Sequence, residues 1–362
     1  MRIAYVTIHI APEIMRGGVG KKIRTHIALW REKGHEVTLF SLTPAEIPFR
    51  EERQFLFDAK TNLLKREANR ALSMKRMLKS VREYQPDIIY LRFGLYSYPL
   101  HEIHKISPVV VDTNSNDVDE YRKKGLFFYW INRLTRDLTF GPASGVVSPS
   151  YELVDILVPK HDKPVCVVAN GVDLNDVEIL PAPKNAHPVL TLVGTPGMSW
   201  HGVDKLIEFA KRYPEITVNI VGYGSGDIEG NVPANVKLHG FLNSQQVKDV
   251  LAGTDVACGT LAFHRNKMHE ASALKVREAL TFGIPVLIAF RDTDLNDVQV
   301  DTILRIPNTE DNVLHYAEDI RDFAYRMMGK RVDLSVVGPY LDQRKKEEKR
   351  LAFFEQILAG KK

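Results

Sequence analysis

Apolar positions along this chain recur in short strand-like runs separated by stretches of helical spacing. The first runs are Arg2–His9, Glu36–Ser41, Asp87–Leu91, Val109–Asp112 and Gly145–Ser148. After the first comes a glycine-rich turn, Gly17-Gly18-Val19-Gly20, and then a helical pattern to about Lys33. Such alternation predicts a parallel sheet with helices on both faces. A second alternation starts at Pro188–Val193 and continues through Ile216–Val221, Val236–His239, Val256–Cys258 and Pro285–Ala289. Between the two lies Leu180-Pro-Ala-Pro-Lys-Asn-Ala-His187, which has the composition of a linker. A last helix over about Asp342–Leu358 presents Leu351, Phe353, Phe354, Ile357 and Leu358 as its apolar face. The expected architecture is α/β with Rossmann-like domains at 1–182 and 188–338, and residues 339–362 forming a terminal helix.

Composition agrees with two soluble domains. The chain has 362 residues, 44% hydrophobic and 26% charged, enough to bury two cores. No apolar run approaches the roughly 18 residues of a spanning helix, and residues 1–11 read as a first strand rather than a signal peptide, so a cytoplasmic protein is expected. Cys166 and Cys258 lack metal-type spacing, which predicts a reduced compartment and no metal site. The net charge of +4 is mild, and no nucleic-acid-binding pattern accompanies it.

The densest chemical signal is Glu270-Ala-Ser-Ala-Leu-Lys-Val-Arg-Glu278, followed by Gly283-Ile-Pro285. Leu274, Val276, Ala279 and Leu280 keep a helical rhythm, Ser272 suits an N-cap, and Gly283-Ile-Pro285 ends the helix. From Ser272 to Glu278 the rise is roughly 9 Å, near the span from a diphosphate to a ribose. Unpaired N–H groups at Ser272, Ala273 and Leu274 attract phosphate, and a carboxylate at Glu278 suits paired ribose hydroxyls. Upstream stand Gly194-Thr195-Pro-Gly197-Met-Ser-Trp200-His201-Gly202, Gly222-Tyr-Gly224 and His239-Gly240-Phe241-Leu242, each in a loop after a predicted strand. The Gly222 string has no helix after it, so a dinucleotide fingerprint is excluded.

Together these segments resemble the signature of retaining GT-B glycosyltransferases, in particular glycosyltransferase family four, whose E-x7-E element matches Glu270 and Glu278. Gly34-His35-Glu36-Val37 and Asn170-Gly171-Val172-Asp173 match further family segments. The resemblance implies two Rossmann-like domains facing a cleft, with the terminal helix crossing back. It implies transfer of a sugar from a UDP- or GDP-sugar, used as co-substrate without cofactor or metal, to a glycan or lipid-linked acceptor in bacterial surface polysaccharide synthesis. Glu270 would orient the sugar near the anomeric centre and Glu278 the ribose. Gly17, Gly18, Gly194 and Gly222 would line the diphosphate, and Gly240 and Phe241 the nucleobase. The family's arginine and lysine at the diphosphate are replaced by Thr195 and His201. His201 is therefore expected to donate a hydrogen bond or to be protonated, and Arg265, Lys267 and Lys275 are candidate replacements for the missing charge.

In the first domain, Asn114, Asn116 and Asp117 occupy the region where relatives place a cleft histidine, and Asn116 and Asp117 are expected to touch the transferred sugar. Two rivals stand beside this reading: a non-catalytic nucleotide-binding subunit and a GT-B nucleotide-sugar epimerase. Residues 60–82 carry Lys60, Lys65, Arg66, Arg70, Lys75, Arg76, Lys79 and Arg82 among Leu63, Leu64, Leu72, Met74, Met77, Leu78 and Val81. They predict a helix that either packs on the core or binds the inner face of an anionic membrane peripherally.

Overall fold

The structure is a computed structural model describing residues 1–8, 15, 17–47, 52–158 and 162–360. Contacts divide it into two compact units, Met1–Ala169 with Arg344–Lys362, and Asn170–Gln343. The segment after Ala169 joins the second unit. Leu180 is buried in that unit's core, and its N–H donates to Phe282 O at 3.0 Å. The proline-rich stretch expected as the linker thus lies beyond the division, because Leu180 is already anchored before it.

The first unit holds a seven-stranded parallel sheet in the order β3-β2-β1-β4-β5-β6-β7. These strands are β1 (Arg2–Ile8), β2 (Glu36–Thr43), β3 (Glu52–Leu56), β4 (Ile88–Arg92), β5 (Val109–Asp112), β6 (Gly145–Ser148) and β7 (Val165–Val167). Helix α1 (Gly18–Glu32) starts one residue after Gly17, its N-cap. It buries Ile23, His26, Ile27 and Trp30, the spacing of a core-facing helix. Helix α2 (Leu63–Tyr84) buries Met74, Met77, Leu78 and Val81. The helix over 60–82 therefore packs on the core through its C-terminal half, while Leu63, Leu64 and Leu72 stay exposed among its basic residues. Leu351, Phe353, Phe354 and Ile357 of the terminal helix join the first unit's core, where the Phe354 ring meets Trp30 at 5.5 Å.

The second unit holds a six-stranded parallel sheet in the order β10-β9-β8-β11-β13-β15. Its strands are β8 (Val189–Val193), β9 (Thr217–Val221), β10 (Val236–Leu238), β11 (Val256–Cys258), β13 (Val286–Ile288) and β15 (Ile303–Arg305). Strand order reverses between β8 and β11, and the loops at that switch point are the usual ligand position in such sheets. A separate two-stranded parallel pair, β12 (Glu270–Ala271) with β14 (Arg291–Asp292), sets Glu270 just ahead of the helix Leu274–Thr281. No helix among the described residues is long and apolar enough to cross a membrane.

Candidate functional site

The loops that follow β8 and β11 are stitched together at the point of strand reversal. Leu261 N–H donates to His201 O at 3.2 Å, and Ala262 N–H to Trp200 O at 3.0 Å. The loops after β8 and β9 approach so closely that only glycine fits. A Cβ on Gly222, whose φ is +96°, would lie 2.1 Å from Gly194 O, and one on Gly194 would lie 2.6 Å from His201 Nδ1. The loop after β10 closes on the same place, with Gly222 N–H donating to Gly240 O at 2.8 Å and Gly240 N–H to Tyr223 O at 2.9 Å. Phe241, next along, is 92% exposed.

His201 is buried, and Thr195 N–H donates to its Nδ1 at 3.3 Å, which places the ring proton on Nε2. Tyr223 Oη lies 2.9 Å from the same Nδ1 and donates to Thr195 O at 2.7 Å. Burial, aided by the positive charge of Lys275, pushes the His201 imidazole down to about 3. Without a ligand the ring is neutral near pH 7, and its Nε2–H is the proton it can offer. Tyr223, which sequence reasoning passed over inside Gly222-Tyr-Gly224, is the group that holds it.

Three candidate cations were expected to replace the missing charge, and the structure separates them. Arg265 is engaged by Asp204 at 2.9 and 2.7 Å, by Glu310 and by Ser199 O, and these carboxylates raise its basicity further. It is neutralised where it stands by these two carboxylates. Lys267 is exposed in a left-handed turn. Lys275 differs: its ammonium is buried with no hydrogen-bond partner among the described residues, and burial pushes it down to about 8. It is the second residue of α9 (Leu274–Thr281), beside the first-turn N–H groups that the helix itself leaves unused.

Ser272 is not the N-cap. Ala273 holds that position without a side-chain bond, while Ser272 Oγ accepts the Asn170 N–H at 2.7 Å and Ser272 O accepts from Asn170 Nδ2 at 2.6 Å. The serine is spent on tying the Asn170 turn to the segment ahead of α9, which leaves the helix N-terminus uncapped. Glu270 is 2% exposed and meets Arg291 at 3.3 Å, and Glu278 lies exposed on α9. Between them, Arg277 is fully buried, paired with both oxygens of Asp292 and donating to Asn170 O at 3.2 Å. Asp292, of the Asp292-Thr-Asp294 triplet, also caps its own loop through the N–H groups of Asp294 and Leu295.

In the first unit, Asn116 and Asp117 are structural. Asn116 caps the helix Asp117–Lys124 by accepting from Asp119 N, and buried Asp117 accepts from Asn132 at 2.6 Å and pairs with Arg136 at 3.5 Å. Asn116 Oδ1 and the Asp117 carboxylate are thus engaged within the fold. Asn114 instead accepts from Arg92 at 2.7 Å and Lys22 at 3.2 Å near the strand ends of this sheet. Gly17 and Gly18 lie exposed at the start of α1.

Two parallel sheets, of seven and six strands, make the α/β architecture of the GT-B fold. Residues 16–176 match the model of Glycosyltransferase Family 4. Similar solved structures include a sucrose-phosphate synthase from Thermosynechococcus elongatus, at 13% identity, TM-score 0.69, and 99% and 100% coverage of the two chains. The lipopolysaccharide outer core galactosyltransferase WaaB, in its apo form, is similar at 14% identity and TM-score 0.68, covering 98% of this chain and 99% of that one. Anabaena HepE in complex with UDP is similar at 14% identity and TM-score 0.67, covering 98% and 100%. No curated protein matches the sequence.

Proposed function

We propose that the chain is a retaining glycosyltransferase that moves a sugar from a UDP- or GDP-sugar to a glycan or lipid-linked acceptor in bacterial surface polysaccharide synthesis. The observation that carries this reading is the buried ammonium of Lys275, which has no hydrogen-bond partner among the described residues and stands at an uncapped helix N-terminus, near the neutral His201. A buried cation without a partner is costly, and an arriving diphosphate would relieve it. Lys275 would neutralise the leaving phosphates, with His201 Nε2–H and the first N–H groups of α9 as further donors. The bond from the anomeric carbon to the phosphate oxygen breaks and the diphosphate departs with the electron pair. The acceptor oxygen then bonds to that carbon on the same face, and its proton passes to the departing oxygen. Glu270 would hold sugar hydroxyls, Glu278 the ribose and Phe241 the base; Gly17 and Gly18 would border the diphosphate. Protein cations do here what a divalent ion does elsewhere, so transfer should persist in EDTA.

Two different residues stand where relatives carry the phosphate-gripping pair, Thr195 and His201, and this favours the nucleotide-binding, non-catalytic rival over the epimerase. Calorimetric titration with UDP and GDP, followed by an assay of sugar transfer or donor hydrolysis with the base that binds, tests both levels. Nucleotide binding with neither transfer nor hydrolysis would select the rival. Absence of binding to either nucleotide would overturn the reading.

A further inference from the structure

One helix of the first unit is built inside out. In α4 (Leu126–Thr135), just beyond a helix (Asp117–Lys124) that ends in Arg122, Lys123 and Lys124, the polar Asn132 is turned inward at 1% exposure. Arg136, one position past its end, is 7% exposed, and both side chains reach Asp117. The apolar residues point the other way: Leu126 is 70% exposed, Phe127 60%, Trp130 58%, Leu134 76% and Leu138 44%. At about 100° per residue, Leu126, Trp130, Leu134 and Phe127 share a single arc. An ordinary surface helix turns that arc to the core. Here the buried network around Asp117 fixes the rotation of the helix, and the apolar arc is left outside.

The rim of this face is basic. Arg122, Lys123, Lys124 and Arg133 are exposed around it, and the only exposed acid from residue 122 to 138 is Asp137. Arg122 and Lys124 lie over the rings of Tyr129 and Tyr121, at 5.2 and 5.1 Å. Tryptophan, phenylalanine and leucine beside lysine and arginine make the composition of a helix that lies in the headgroup layer of an anionic bilayer. Protein interfaces are instead depleted in lysine. A ten-residue helix is too short to span a bilayer, so it would lie in the plane of the surface.

We propose that the face formed by Leu126, Phe127, Trp130, Leu134 and Leu138 docks on an anionic lipid surface, with Arg122, Lys123, Lys124 and Arg133 on the lipid phosphates. Docking is independent of sugar transfer, and its test needs no nucleotide sugar. The full chain is sedimented with phosphatidylcholine vesicles with and without phosphatidylglycerol, while tryptophan emission is followed. Anionic vesicles are expected to bind it and to shift the emission to the blue. A triple variant Phe127→Ser, Trp130→Ser, Leu134→Ser should lose at least about tenfold in vesicle affinity, since three large apolar side chains no longer leave water. Those side chains are exposed, so the fold should be kept, and thermal unfolding of the variant checks this. Lys123→Glu with Lys124→Glu should abolish the preference for phosphatidylglycerol. Trp130→Phe should remove the blue shift and keep the binding, because Trp30 is fully buried and Trp200 belongs to the second unit. Equal binding by the triple variant and the wild type would overturn the proposal. So would a wild-type dimer by light scattering that the triple variant breaks, with no vesicle binding by either, for then a second copy covers the face.

Discussion

Lys275 and Arg277 stand two residues apart on the same short helix, and both charged heads are buried, but they are held in opposite ways. The Arg277 guanidinium is enclosed by Asp292 on two sides, by Asp294 at 3.6 Å and by Asn170 O. The Lys275 ammonium has none of this, and its basicity falls accordingly. A fully bonded buried cation holds the fold together, whereas one left unbonded weakens the fold and is worth keeping where a ligand completes it. Arg265 resembles Arg277 in this respect: it lies near the loops of the candidate site, but Asp204 and Glu310 already occupy it.

The largest expected effect comes from removing the partner that Arg277 has and Lys275 lacks. Asp292→Ala strands a buried guanidinium and should cost about 3–5 kcal/mol in urea unfolding. A loss below about 1 kcal/mol would mean that the pair is not what holds α9 in place.

Lys275→Met should act with the opposite sign on stability. The folded pKa of Lys275 lies below its unfolded value, so the unfolded chain binds the extra proton between about pH 8 and 10.5. The penalty is present in full below pH 8 and is relieved as pH rises through that window. Its size is on the order of 3 kcal/mol, and the methionine variant should recover part of it at pH 7. The same variant should reduce transfer by roughly 10²–10³. Wild-type affinity for the nucleoside diphosphate should weaken as pH rises through about 8, and that of Lys275→Met should stay flat. A pH-sensitive variant would assign the titration to another group.

Glu278→Ala should weaken nucleotide binding by roughly 1–3 kcal/mol with the fold intact, read by titration calorimetry. Unchanged affinity would remove the ribose assignment. The smallest effect is expected from Arg265→Ala, a partly exposed pair in which solvent screens the charges. It should lower stability by about 1 kcal/mol or less and leave nucleotide affinity nearly unchanged. A loss of affinity as large as that of Lys275→Met would erase the distinction between paired and unpaired cations.

Much of the fold was legible in the chain. The strands at Arg2, Glu36, Ile88, Val109, Gly145, Val189, Thr217, Val236, Val256 and Val286 all appear near their expected positions. The apolar face of the last helix is the one that packs. The strands that escaped notice, Glu52–Leu56, Val165–Val167, Ile303–Arg305 and the two-residue pair at Glu270, are edge or very short elements. They are strands because a neighbour offers a register, and their own residues say little. The site was legible as a set of segments and not as a set of roles. Ser272 read as a cap and became a tie to Asn170; Asn116 and Asp117 read as ligand groups and were taken up by Asp119, Asn132 and Arg136.

The sequence by itself determined the alternation of strands and helices, the two-sheet plan and the positions of the glycine loops, because periodicity and backbone freedom are properties of neighbouring residues. Only the tertiary structure decided which charges are paired. Arg265 finds Asp204 and Glu310 at separations of 61 and 45 residues, while Lys275 finds no hydrogen-bond partner among the described residues, and electrostatic pairing depends on distance in space. It decided, too, that the apolar arc of Leu126, Trp130 and Leu134 faces outward. Helical periodicity states that such an arc exists, and what packs against the opposite side decides which way it turns.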